Sequence, residues 1–105
     1  MAGVRVLPLG ATFEAREGAS IMAAAQAAGY YWPTTCGGEA RCTTCACEVL
    51  AGAAALSEMG RAERRALVAE RGEAVLATSV RLACQARVVG PGEVTVRKAG
   101  VRPPA

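Results

Sequence analysis

A chain of 105 residues with a net charge of +3 has the length of one domain, and no apolar stretch in it approaches the roughly 20 residues that span a bilayer. Five cysteines are an odd number, which argues against a closed disulfide framework, and the absence of histidine removes imidazole as a ligand, acid or base. The N-terminus lacks a signal-peptide layout, because Arg5 interrupts the short apolar run and Pro8 and Gly10 follow, so a cytoplasmic location is expected.

Val4–Leu9 reads as a strand, Gly10–Ala11 as a turn and Thr12–Arg16 as the second strand of a hairpin. Ser20 is placed to cap a helix over Ile21–Ala28 that Gly29 ends. Ile21, Ala24, Ala25 and Ala28 recur at helical spacing and predict the face that packs on a sheet. Tyr30–Ala46 has cysteines and turn residues but no periodicity, and its length marks a functional loop. Cys47–Leu50 is a short strand, and Leu56–Ser57 precedes a helix over Arg61–Arg71 ended by Gly72. Val80–Val89 is expected as one long strand with Leu82, Cys84, Ala86 and Val88 on one side, followed by a turn and a last strand at Val94–Arg97. Gly100–Ala105 reads as a loose tail, so the single domain over 1–105 is expected to be ordered over about 4–98. Two hairpin-like pairs with a helix between them exclude an all-parallel sheet and place the chain in the α+β class, a mixed sheet over a helix.

Most of the chemistry lies in Cys36-x5-Cys42-x2-Cys45 and in Cys84, after a gap of thirty-eight residues. Three close thiolates on one loop and one distant thiolate fit a [2Fe-2S] cluster, whose plant-type spacing is shorter by one residue in the first gap. Such a cluster is negatively charged and gains a further charge on reduction, so the loop must aim dipoles and donors at it. Gly37 and Gly38 supply the backbone freedom. Thr43 and Thr44 bring hydroxyls between two ligands, and Arg41 brings a cation; with Glu39 and Ala40 these residues form the expected cofactor-binding loop. A structural zinc site is a weaker fit, since only one C-x2-C is present and Cys45-x-Cys47 is too tight for a second knuckle. Cys47 is read as a small core residue.

The basic residues are scattered and do not interleave with aromatics, so nucleic-acid binding is not expected. Tyr30, Tyr31 and Trp32 are read as a cover over the loop with at least one ring exposed. Leu56, Met59 and Leu67 are assigned to the core, and the arginines of the second helix to a solvated face with glutamate partners at helical spacing.

With Cys36-Gly37-Gly38, Cys42-Thr43-Thr44-Cys45 and Arg81-Leu82-Ala83-Cys84-Gln85, the chain resembles the adrenodoxin- and putidaredoxin-type [2Fe-2S] ferredoxins from about Val4 to Lys98. The resemblance implies a β-grasp fold, with Cys36, Cys42, Cys45 and Cys84 as ligands of one cluster. It also implies a one-electron carrier, not an enzyme, between an NAD(P)H-dependent flavoprotein reductase and an oxygenase, either a cytochrome P450 or a ring-hydroxylating dioxygenase. A smaller branch of the family serves iron–sulfur cluster assembly. A monomer without nucleic-acid or membrane partners is expected. The chain departs from its relatives at Ala46, where many carry His, and over Glu58–Glu73, which is neutral where relatives have an acidic docking helix.

Overall fold

The computed structural model describes residues 2–34 and 43–104. Five strands form one mixed sheet: β1 (Ala2–Leu7), β2 (Ala11–Ala15), β3 (Ala46–Ala51), β4 (Val80–Leu82) and β5 (Glu93–Arg97), in the order β2-β1-β5-β3-β4. The central β1–β5 pair is parallel, and the other three pairings are antiparallel. Among the described residues there are also two helices, α1 (Ile21–Ala27) and α2 (Arg61–Arg71), and two short 3-10 helices at Ala53–Ala55 and Glu73–Ala77. This is the expected α+β architecture with a mixed sheet.

Period-two alternation sets the strand faces. Ala2, Val4 and Val6 of β1 are buried, as are Val94 and Val96 of β5, while Arg5 is exposed between them. Each fully buried valine contributes about 2 kcal/mol through loss of apolar surface. Ile21, Met22, Ala24 and Ala25 of α1 join the same core. Met22 is buried and Ala28 is exposed, so the buried face of this helix is rotated from the expected one.

The Ser20 cap forms as its sequence implies: its hydroxyl oxygen accepts the Ala23 N–H at 3.0 Å. At the far end of β3 the register shifts between Val49 and Ala51, and Gly52 follows at φ 82°. A Cβ on Gly52 would stand 2.3 Å from the Glu93 carbonyl oxygen, so the chain can pass β5 there only as glycine.

Three expectations are corrected. Val80–Val89 is not one strand: β4 ends at Leu82, and residues 83–85 form a turn because Gln85 N–H and Ala86 N–H both donate to the Leu82 carbonyl. Val80–Leu82 does not pair with the last strand either; β4 pairs with β3, and β5 inserts between β1 and β3. The expected loose tail is tied down, since Val101 is buried and Arg102 exchanges backbone hydrogen bonds with Tyr31. The Arg102 guanidinium also lies 4.5 Å from the Tyr31 ring centroid. Among the described residues no helix is long and apolar enough to cross a membrane.

Candidate metal centre

Of the expected ligands, Cys45 and Cys84 fall within the described residues. Cys36 and Cys42 lie outside them, as do Gly37, Gly38, Glu39, Ala40 and Arg41. Cys45 immediately precedes β3, and Ala46 is the register partner of Leu82. Cys84 follows Leu82 by two residues, so antiparallel pairing brings both cysteines to the same end of the β3–β4 ladder.

The Cys84 turn is pinned from two sides. Its own chain closes onto the Leu82 carbonyl, while the first amides of α1 reach across to it: Met22 N–H donates to the Ala83 carbonyl at 2.9 Å and Ile21 N–H to the Ala86 carbonyl at 3.0 Å. These are amides that a helix N-terminus leaves without an internal partner, and here they fix the Cys84 turn. The Gln85 side-chain amide donates to the Cys84 sulfur at 3.6 Å.

Cys45 is fully buried, and its carbonyl accepts the indole N–H of Trp32 at 3.0 Å. Trp32 is itself 1% exposed. Tyr30 packs at 5.5 Å from Phe13, and Tyr31 remains half exposed. One ring of the triplet, Tyr31, is thus out, as expected, while the expected cover over the loop falls on residues outside the described ones. Thr43 and Thr44 act through their carbonyls: Thr43 O accepts Ala46 N–H and the Arg71 guanidinium, and Thr44 O accepts the Lys98 ammonium.

Cys47 is 3% exposed, and burial pushes its thiol from the ordinary 9.0 up to about 12, against the lowering influence of Lys98 and Arg81. A thiol so buried and so far from ionisation is a core residue, in agreement with its reading from the sequence. Leu56 and Leu67 are buried and Met59 packs at the core edge.

Sequence reasoning missed the ion pair behind the Cys84 turn. Glu63 of α2 is 1% exposed and accepts three hydrogen bonds: from Arg81 Nε at 2.7 Å, Arg81 Nη2 at 3.0 Å and Leu82 N–H at 2.9 Å. Arg81 Nη1 donates onward to the Ser57 carbonyl at 2.9 Å, and the Ser57 hydroxyl accepts Arg87 N–H at 3.1 Å. The bidentate fork locks α2 onto β4 two residues before the turn. Its signal was present: Glu63 stands three and four residues before Ala66 and Leu67, on the buried stripe of the helix. Glu63 is thus not a surface partner for the helix arginines. The exposed charges of this segment are Arg61, Arg64, Arg65 and Arg71 against Glu58, Glu70 and Glu73, four against three, which leaves one positive charge in excess.

Among the described residues no group of three metal-ligating side chains assembles. The two described thiols nevertheless suit the cluster. They sit at one end of one ladder, each on a turn whose backbone is held from outside by another element, and one sulfur already receives a side-chain donor.

Residues 4–89 match the family model of the 2Fe-2S iron-sulfur cluster binding domain. Among solved structures the chain is similar to an ISC-like [2Fe-2S] ferredoxin from Pseudomonas putida, at 29% identity and TM-score 0.69 over 93% of this chain and 92% of that one. It also shares the fold of a ferredoxin from Rhodopseudomonas palustris, at 24% identity and TM-score 0.61 over 94% and 95% of the two chains. The same fold occurs within an Amycolatopsis cytochrome P450 reductase, at 24% identity and TM-score 0.75, where the match takes in all of this chain and 28% of that one. No curated relative matched. The chain belongs to the 2Fe-2S iron-sulfur cluster binding domain family and is a ferredoxin, an electron carrier for a single [2Fe-2S] cluster.

Proposed function

We propose that this ferredoxin carries single electrons from an NAD(P)H-dependent flavoprotein reductase to an oxygenase, either a cytochrome P450 or a ring-hydroxylating dioxygenase, with Cys36, Cys42, Cys45 and Cys84 as the cluster ligands. When bound, the cluster supplies a one-electron acceptor and donor and requires no bond to be made or broken in the protein. The residues of the chain have the remaining tasks. Trp32 holds the Cys45 turn, α1 holds the Cys84 turn, and Glu63–Arg81 keeps β4 seated so that the two turns keep their spacing.

The observation that supports this reading is the placement of buried Cys45 and half-buried Cys84 at one end of the β3–β4 ladder, each on a turn held by hydrogen bonds from outside it. Redox encounters use small interfaces, so a short approach suffices. The occurrence of the fold within a cytochrome P450 reductase supports the oxygenase branch. The likeness to an ISC-like ferredoxin favours a second reading, service in cluster assembly. Reconstitution separates them. With a flavoprotein reductase and NAD(P)H, the oxygenase reading requires substrate turnover by a P450 or dioxygenase that stops when this protein is omitted. Support of cysteine desulfurase-driven cluster synthesis on a scaffold, without oxygenase turnover, would favour the second.

A further inference from the structure

Two cations from separate elements meet on consecutive carbonyls of the ligand loop. Arg71, the last residue of α2, donates from Nη2 to the Thr43 carbonyl at 3.3 Å. Lys98, the first residue after β5, donates from Nζ to the Thr44 carbonyl at 2.5 Å. Satisfying a carbonyl does not explain the first contact, because Thr43 O already accepts Ala46 N–H at 3.0 Å. Carbonyl oxygens bear only partial charge, so each contact brings a full positive charge to the loop.

We propose that Arg71 and Lys98 act as positioning residues that raise the reduction potential of the centre, by holding the Thr43–Thr44 backbone and by placing positive charge beside it. The inference rests on the assignment of Cys42 and Cys45, which flank these threonines, as ligands. The C=O and N–H of a trans peptide point in opposite directions. With the Thr43 and Thr44 carbonyls drawn to the cations, the amides of Thr44 and Cys45 are turned to the opposite side of the loop. Amide donors of this kind and nearby positive charge both stabilise the reduced centre more than the oxidised one, since reduction adds one electron from the external donor and no compensating proton is required. The effect falls with distance and screening, which favours residues that touch the loop itself over the exposed arginines elsewhere on α2.

The test is anaerobic potentiometric titration of the cluster-loaded protein followed by visible absorbance and by EPR. Lys98→Met and Arg71→Met are each expected to shift the midpoint to more negative potential. Lys98→Arg, which keeps charge and donor, is expected to restore the wild-type value. Lys98→Gln keeps a donor without charge and is expected to lie between Lys98→Met and the wild type, on the negative side of the wild type. Because Lys98→Gln preserves a loop contact, it serves as the charge-removing variant if Lys98→Met does not retain iron. Midpoints that coincide among wild type, Lys98→Gln and Arg71→Met, with the cluster spectrum intact, would overturn the inference and leave the ferredoxin assignment standing. A wild-type protein without iron would instead overturn the ligand assignment on which it rests.

Discussion

The indole of Trp32 donates its N–H to the carbonyl of Cys45 at 3.0 Å, with both residues buried. Two residues thirteen positions apart in sequence are thereby joined at the start of β3. Trp32→Phe retains most of the ring but leaves a buried carbonyl without this donor. Such a loss costs about 1–3 kcal/mol. Urea unfolding of the cluster-loaded variant is expected to show a stability loss of this size, and visible absorbance to bleach faster in air than in the wild type.

The Glu63–Arg81 pair fixes the segment that leads to Cys84. Removing one partner of a buried pair leaves an uncompensated charge and costs about 3–5 kcal/mol. Because the Arg81 side chain is 15% exposed, Glu63→Ala is expected near the lower end, about 3 kcal/mol, measured by denaturant titration. Glu63→Met with Arg81→Met removes both charges, and its loss is expected to be smaller than that of Glu63→Ala.

Cys45 and Cys47 are two residues apart and predict opposite outcomes. Cys45→Ser is expected to abolish the cluster absorbance, and Cys47→Ser to keep it. With its thiol pushed up to about 12, Cys47 holds almost no thiolate at pH 8. Iodoacetamide at that pH is expected to leave Cys47 unmodified in the folded, cluster-loaded protein and to modify it after unfolding, as read by peptide mass spectrometry.

Gly52 tests the sheet independently of the metal. Gly52→Ala demands a positive φ of a residue with a Cβ and places that atom 2.3 Å from the Glu93 carbonyl oxygen. The left-handed φ alone costs about 1–3 kcal/mol, and the clash with the Glu93 carbonyl adds to it. A lowered thermal midpoint with an unchanged cluster spectrum is the expected result.

Much of this was legible because the signals are local. Ser20 and Gly29 bracket α1, and Arg61–Arg71 with Gly72 gave α2 the bounds the structure shows. The cysteine spacing pointed to the cofactor because ligand chemistry restricts it more tightly than packing restricts a core. What was hidden is long-range. Alternation from Leu82 to Val88 suits a strand, yet the amides of Gln85 and Ala86 fold back to Leu82 and the α1 N-terminus binds the turn, a competition periodicity cannot register. The charge of Glu63 concealed its burial, because the compensating Arg81 lies eighteen residues away. The tail docks through Tyr31, more than seventy residues earlier in the chain, where local composition suggested only prolines and a free end.

The central claim is that this chain holds one [2Fe-2S] cluster on Cys36, Cys42, Cys45 and Cys84. Anaerobically prepared protein should contain iron and acid-labile sulfide in equal amounts, about two of each per chain, and should take up one electron with the appearance of a rhombic EPR signal. Protein lacking both iron and labile sulfide, or colourless and carrying zinc in their place, would contradict it.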